Sequence, residues 1–203
     1  MTRTGTPGPL VLTGVCALAC LLLMALLASG CANVDNGMMM RTERISAPEP
    51  GKALVTFVNI SPRATAFSFA VWDGEELVGV LDGESYTQRQ LAPGEHYFLS
   101  RSENWSCVKA DLAPNKQYVV RLRWFTGLAR ARVALLPVTA ADYKSGQFKN
   151  AGNWLAQFPP VTLDPQKIES YAQPRRAQVR EAKSSFQAGK GQYETLTAQD
   201  CMP

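Results

Sequence analysis

Apolar and polar side chains alternate with a period of two between Lys52 and Val138, which is the pattern of half-buried β-strands. The alternating runs are short, and dipeptides that favour turns separate them. Strands of this length and spacing predict a mainly β domain, either a sandwich or a small barrel. The turn dipeptides are Asp73-Gly74, Asp82-Gly83, Pro93-Gly94 and Thr126-Gly127. The positions predicted to build the core are Phe57, Phe67, Phe69, Val71, Val80, Phe98, Val120, Leu122 and Val133.

After Val138 the apolar spacing lengthens to three or four residues, which predicts helices. Pro159-Pro160 should end the first of these, and Asp164 is placed to cap the next. Pro174 interrupts the second pattern, so we expect either a kink or two helices, followed by a loose tail from Tyr193. The helical positions are Phe148, Ala151, Leu155 and Phe158 in the first segment and Ile168, Ala172, Val179, Ala182 and Phe186 in the second.

The N-terminus has the pattern of a signal peptide. Arg3 precedes an almost wholly apolar run from Leu10 to Leu27, and the small residues Ala28-Ser29-Gly30 lead to Cys31. This arrangement resembles the bacterial lipobox, although Ala28 stands where leucine is usual. It predicts cleavage before Cys31 and attachment of a diacylglyceryl group to its thiol. The alternatives are an ordinary secretory signal and an uncleaved anchor helix.

Lipidation at Cys31 would hold the chain at a membrane, because two acyl chains anchor stably where one does not. The residue after the cysteine is Ala32 rather than the aspartate that favours inner-membrane retention, so we expect the outer membrane, facing the periplasm. The predicted organisation is a signal peptide (1–30), a lipidated tether (31–51), a β-sandwich (52–138) and a helical C-terminal extension with its tail (139–203).

Five cysteines occur in the chain, and two of them, Cys16 and Cys20, would leave with the signal peptide. With Cys31 lipidated, Cys107 and Cys201 remain as an even pair in an oxidising compartment. We therefore predict a disulfide that ties the tail to a strand. The alternatives are two free thiols and an intermolecular bridge through Cys201.

The stretch from Lys52 to Val138 resembles the β-domain of the DUF2846-type lipoproteins of bacteria. The matching landmarks are KALVTF, VWDG, PGEHYF, SENWS and LAPNKQYVVR, with Asn115 where that family often has glycine. The general pattern also resembles PEGA-type domains, which are small immunoglobulin-like sandwiches. The resemblance implies an antiparallel immunoglobulin-like sandwich at the cell envelope. It implies no functional residues, because the family has no established activity.

This chain lacks the residues that most classes of enzyme need. His96 is the one histidine, and neither a Gly-x-Ser-x-Gly elbow nor a phosphate-binding or dinucleotide-binding glycine motif occurs. One histidine and two distant cysteines make no zinc set. Scattered carboxylates neither support nor rule out a hydrolase. We therefore expect a protein that is not an enzyme and needs no cofactor.

Four arginines are the strongest candidates for a polar binding surface. Arg121 and Arg123 share one face of a strand, and Arg130 and Arg132 share one face of the next, so pairing across Thr126-Gly127 would align all four. Such a face could bind lipid headgroups, a cell-wall polymer or an acidic protein, or it could simply be solvated. The net charge of +4 is too small to indicate nucleic acid. We expect a non-catalytic envelope scaffold or accessory protein with an unknown envelope partner, or alternatively a module for an anionic ligand.

Overall fold

Two β-sheets pack face to face and helices follow near the C-terminus. The computed structural model describes residues 37–60, 67–128, 131–146 and 151–203. The predicted mainly β sandwich with a helical C-terminal appendage is confirmed. The predicted Asp-Gly turns are present, with φ angles of 56° at Gly74 and 53° at Gly83, which glycine adopts without steric cost.

The strands and helices follow one another in this order. The strands up to the first helix are β1 (Met39–Arg41), β2 (Ala53–Asn59), β3 (Ser68–Asp73), β4 (Glu76–Asp82), β5 (Ser85–Leu91), β6 (Gly94–Arg101), β7 (Trp105–Leu112), β8 (Gln117–Thr126) and β9 (Ala131–Pro137). The later elements are α1 (Ala140–Ser145), α2 (Ala151–Gln157), β10 (Val161–Leu163), α3 (Ile168–Ala172), α4 (Arg176–Gln187) and β11 (Glu194–Leu196). One sheet has the order β5-β2-β8-β9 and the other β11-β7-β6-β3-β4. The pairs β2/β8 and β11/β7 are parallel, and the other pairs in these two sheets are antiparallel.

The inner core lies between the two sheets. Phe57 and Phe98 meet edge to face across it, with ring centroids 4.9 Å apart. Seven of the nine predicted core residues belong to this cluster: Phe57, Phe69, Val71, Phe98, Val120, Leu122 and Val133. The alternation of these strands therefore identifies the inward face correctly.

Two predicted core positions differ from this picture. Phe67 is 42% exposed, because β3 begins only at Ser68 and the alternation does not extend beyond the strand. Val80 is buried but faces away from the inner core. The register passes from Val71 opposite Gly79 to Trp72 opposite Leu77, which leaves Val78 as a bulge. A bulge inserts one residue and reverses the face of those that follow.

The second core covers the outer face of the five-stranded sheet. Trp72, Leu99 and Cys107 point to this face and pack with residues of α3 and α4. The predicted apolar helix face is confirmed at Ala172, Val179, Ala182 and Phe186, and Pro174 separates two helices. Among the described residues, no helix is long and apolar enough to cross a membrane.

The third cluster covers part of the outer face of the four-stranded sheet. Val58, Tyr86 and Val119 pack there with Leu155 of α2. The Tyr86 hydroxyl donates a hydrogen bond of 3.3 Å to the Leu155 carbonyl. Phe148 of the predicted helix lies outside the described residues. Asp164 does not cap α3, which begins at Ile168, and instead accepts a hydrogen bond from the Gln166 N–H within the preceding turn.

The segment predicted as a tether is docked on the sandwich from Gly37 onward. Its strand β1 pairs with β10, and this ribbon lies against β4 and β5, the adjacent edge strands of the two sheets. The Gln88 side-chain amide exchanges hydrogen bonds with the Ile45 backbone, at 2.8 and 3.0 Å. The tether prediction is therefore wrong for residues 37–51, because long-range contacts hold a segment that has no periodicity of its own.

The C-terminal tail is also built into the fold. Its strand β11 adds to β7 at the opposite edge of the five-stranded sheet. The Asp200 carboxylate accepts hydrogen bonds from the Ala140 N–H and from both the N–H and hydroxyl of Thr197, each at 2.7 Å. Although burial opposes ionisation, these bonds hold the pKa of Asp200 below its ordinary value. The loose tail predicted from Tyr193 is therefore wrong.

Truncation of a phenylalanine should cost much more stability in the inner core than at the surface of the sandwich. Phe69→Ala removes a ring that is 3% exposed, and we expect a loss of about 3–5 kcal/mol in the free energy of unfolding. The matched change Phe67→Ala, two residues away, should cost under about 1 kcal/mol. Urea denaturation of both variants measures this. Equal costs would contradict the assignment of Phe67 to the surface.

Candidate functional site

The predicted arginine face is formed on the four-stranded sheet. Strands β8 and β9 pair across the hairpin, with Thr126 opposite Ala131. Because Val120, Leu122 and Val133 point into the inner core, the alternating residues Arg121, Arg123 and Arg132 point to the outer face. Arg130 lies outside the described residues. The sequence-based alignment of the arginines therefore holds for the three that the structure describes.

Arg121 differs from the other two arginines in its surroundings. It is half-buried, while Arg123 and Arg132 are exposed. Burial lowers the pKa of Arg121, and the carboxylate of Asp142 in α1 opposes this shift. Asp142 also closes the capping box at Thr139, where it accepts a hydrogen bond of 2.8 Å from the backbone N–H. Arg121 is thus half-buried near a carboxylate of α1, whereas Arg123 and Arg132 are the exposed arginines among the described residues of this face.

A second candidate site is a cleft of about 410 Å³ beside α4, at the turn between β3 and β4. Its lining combines the single histidine with several carboxylates, which is the inventory that a hydrolase would need. The lining residues are Asp73, Gly74, Glu75, Glu76, Glu95, His96, Tyr97, Lys183 and Gln187. The sequence alone does not pair His96 with Asp73, because Asp73 belongs to a different hairpin and is distant along the chain.

Both ring nitrogens of His96 are engaged within the fold. Nδ1 lies 2.8 Å from a carboxylate oxygen of Asp73, and Nε2 lies 2.9 Å from the Ala92 carbonyl oxygen. Both partners are acceptors, so this geometry suits an imidazolium that donates from each nitrogen. The hydrogen bond to Asp73 raises the pKa of His96, against the opposing effects of burial and Lys183. No ring nitrogen is left to act as a general base in this arrangement.

The other carboxylates of the cleft are paired with basic side chains. Glu75 accepts two hydrogen bonds from Arg180, at 2.9 and 2.6 Å, which connects the turn to α4. The remaining pairs are Glu76 with Arg89 at 3.0 Å and Glu95 with Lys109 at 2.9 Å. No group of three or more residues suited to a metal ion occurs in the part of the chain that the structure describes. The arrangement cross-links strands and helix rather than exposing free carboxylates.

The two cysteines do not form the predicted disulfide. Cys107 and Cys201 are both free thiols. Cys107 faces the second core, whereas Cys201 packs against the inner core, so the five-stranded sheet separates the two side chains. The sequence pairs them by elimination, but it does not determine the face of β7 on which the tail lies. Burial raises the pKa of Cys107 to about 12.

Comparison with family models, with curated proteins and with solved structures finds no match to this chain.

The free-thiol assignment predicts unequal reactivity of the two cysteines. Maleimide should modify half-buried Cys201 in the native protein and spare Cys107, because a buried thiol with a raised pKa is a poor nucleophile. Both should react in denaturant. Mass mapping of peptides without reduction measures this. A linked pair of peptides containing Cys107 and Cys201 would show that the disulfide forms after all.

The His96–Asp73 pair predicts a pH-dependent contribution to stability. Folding raises the pKa of His96, so this contribution is fully present below about 6.5, the ordinary value, and is lost as pH rises through the folded-state value. Asp73→Asn should therefore cost about 1–3 kcal/mol at pH 5.5 and less at pH 8.5. Urea denaturation at both pH values provides the measurement. The control Glu95→Gln should show no such difference, since its carboxyl is ionised at both; a cost for Asp73→Asn independent of pH would contradict the imidazolium.

Proposed function

We propose that this chain is a lipid-anchored protein of the cell envelope whose β-sandwich is a non-catalytic scaffold or accessory domain. Its sequence supports the anchor through the apolar run that ends in Ala28-Ser29-Gly30-Cys31. Cys31 and the apolar run lie outside the described residues. In this proposal the lipidated cysteine holds the domain at the outer membrane, on its periplasmic side.

The proposal that the domain is non-catalytic rests on how the titratable side chains of the cleft are paired. The cleft gathers the groups that acid–base catalysis would use, yet each ring nitrogen of His96 has an acceptor and Asp73 is its partner. Glu75 is held by Arg180 in the same way. The Glu75–Arg180 pair stabilises the position of α4 on the sheet, and the His96–Asp73 pair connects β6 to the end of β3. They favour a domain that presents a rigid surface to other envelope components.

A second candidate function is binding of an anionic envelope ligand. The observation that favours it is the pair Arg123 and Arg132, which are exposed on one face of the β8–β9 hairpin. Planar guanidinium groups match phosphate and carboxylate geometry. Lipid headgroups and cell-wall polymers both carry such groups.

The anchor and its location can be tested by envelope fractionation in a host with two membranes. The wild-type chain should take up labelled palmitate, lose its first 30 residues and sediment with the outer membrane. Cys31→Ser should block both processing and labelling, because it removes the thiol that accepts the diacylglyceryl group. Ala32→Asp should move the processed protein to the inner membrane, whereas the control Ala32→Ser should not. Palmitate uptake by the Cys31→Ser variant would contradict the proposal.

A further inference from the structure

The β8–β9 hairpin projects beyond the strand next to it. Strand β2 ends with Asn59 opposite Leu122, whereas β8 continues in partnership with β9 as far as Thr126. We call residues 123–128 and 131–134 the hairpin overhang. Within the described residues, no strand of the same sheet lies beside its outer face on the β2 side, and the side chains of Arg123, Phe125 and Arg132 there are exposed.

The overhang concentrates exposed apolar side chains. Leu128 at its tip is fully exposed, and Phe125 on its outer face is 42% exposed. Phe67, equally exposed, lies against Trp124 on the other side of the hairpin, with ring centroids 6.0 Å apart. Two of the five large apolar side chains that are exposed in the described part of the chain thus belong to the overhang, and Phe67 lies beside it. Apolar groups gathered at one end of a domain mark a contact surface.

The charges beside these apolar groups are positive on the outer face. Arg132 lies directly opposite Phe125 on the neighbouring strand, and Arg123 precedes it by two residues on the same face. The residues of β8 and β9 that point to this face include no carboxylate within the described range. Glu103 accepts a hydrogen bond of 2.9 Å from the Leu128 N–H, but it lies in the turn between β6 and β7, on the inner side of the hairpin.

The overhang combines two guanidinium groups with an aromatic ring and an exposed leucine. A phospholipid surface matches both the charged and the apolar groups. Arginine binds phosphate through paired N–H donors, and phenylalanine and leucine side chains can enter the boundary between headgroups and acyl chains. A soluble anionic polymer would match the arginines but would leave Leu128 without an apolar environment, and a protein partner would need an apolar patch beside its carboxylates.

We propose that the hairpin overhang docks on an anionic lipid bilayer, with Arg123 and Arg132 on lipid phosphates and with Phe125 and Leu128 entering the interface. This inference rests on the proposed lipid anchor at Cys31. The chain between Cys31 and the docked segment at Gly37 spans at most ~20 Å even when extended. An anchored domain therefore stays close to the bilayer, and its second contact forms at high effective concentration.

The test places a reporter at the tip of the hairpin in the full lipidated chain. Leu128→Trp is reconstituted into vesicles whose acyl chains carry bromine, which quenches tryptophan that enters them. The unsubstituted chain serves as the baseline for the four native tryptophans. We expect additional quenching in vesicles rich in phosphatidylglycerol, and much less in vesicles of phosphatidylcholine alone. Adding Arg123→Glu and Arg132→Glu should reduce the additional quenching at least fivefold, because each arginine near an anionic surface raises the membrane-binding constant about fivefold.

The matched control adds Lys116→Glu and Lys190→Glu instead. Both lysines are exposed, and Lys116 lies in the turn at the opposite end of β8, so the net charge changes equally while quenching should persist. A chain that floats with the vesicles while the tip tryptophan stays unquenched would overturn this inference and leave the anchor intact. Failure to float would overturn the anchor and the inference together. Equal loss of quenching in the control would reduce the effect to net charge and also overturn the inference.

Discussion

Burial of the five-stranded sheet on both of its faces is the constraint on which the rest of the structure depends. Val71 and Phe98 face the other sheet, while the neighbouring residues Trp72 and Leu99 face the opposite way and are as well buried. A sheet with two apolar faces is stable in water only when both are covered. The second cover is supplied by α3 and α4, so these helices are part of the domain rather than an attachment to it.

The two ends of the described chain close the two open sides of the sandwich. The β1/β10 ribbon lies over the edge strands β4 and β5, and β11 extends the sheet beyond β7. Unpaired strand edges invite association with other chains, so covering them protects the sandwich from edge-to-edge pairing. The backbone contact between the Asp164 N–H and the Met38 carbonyl, 2.9 Å long, joins segments on either side of the sandwich sequence.

Charged side chains that are paired within the fold and charged side chains that are exposed lie in different parts of the domain. In the cleft, Asp73, Glu75 and Glu95 are each committed to a basic partner. On the outer face of the four-stranded sheet, Arg121 is half-buried near Asp142 of α1, whereas Arg123 is exposed. The cleft therefore favours a structural role, whereas the hairpin overhang presents exposed arginine and apolar side chains.

The sequence by itself determined the features that local sterics control. Strand faces follow from alternation, the break between α3 and α4 follows from the fixed φ of Pro174, and the hairpins follow from glycine at turn positions. Only the tertiary structure decided which face Val80 takes after the bulge and that Cys107 and Cys201 lie on opposite sides of one sheet. It also decided that His96 meets Asp73 and that Arg121 is half-buried near Asp142 of α1. These outcomes depend on pairings between segments far apart in the chain, and no local pattern encodes which side of a sheet a distant segment will cover.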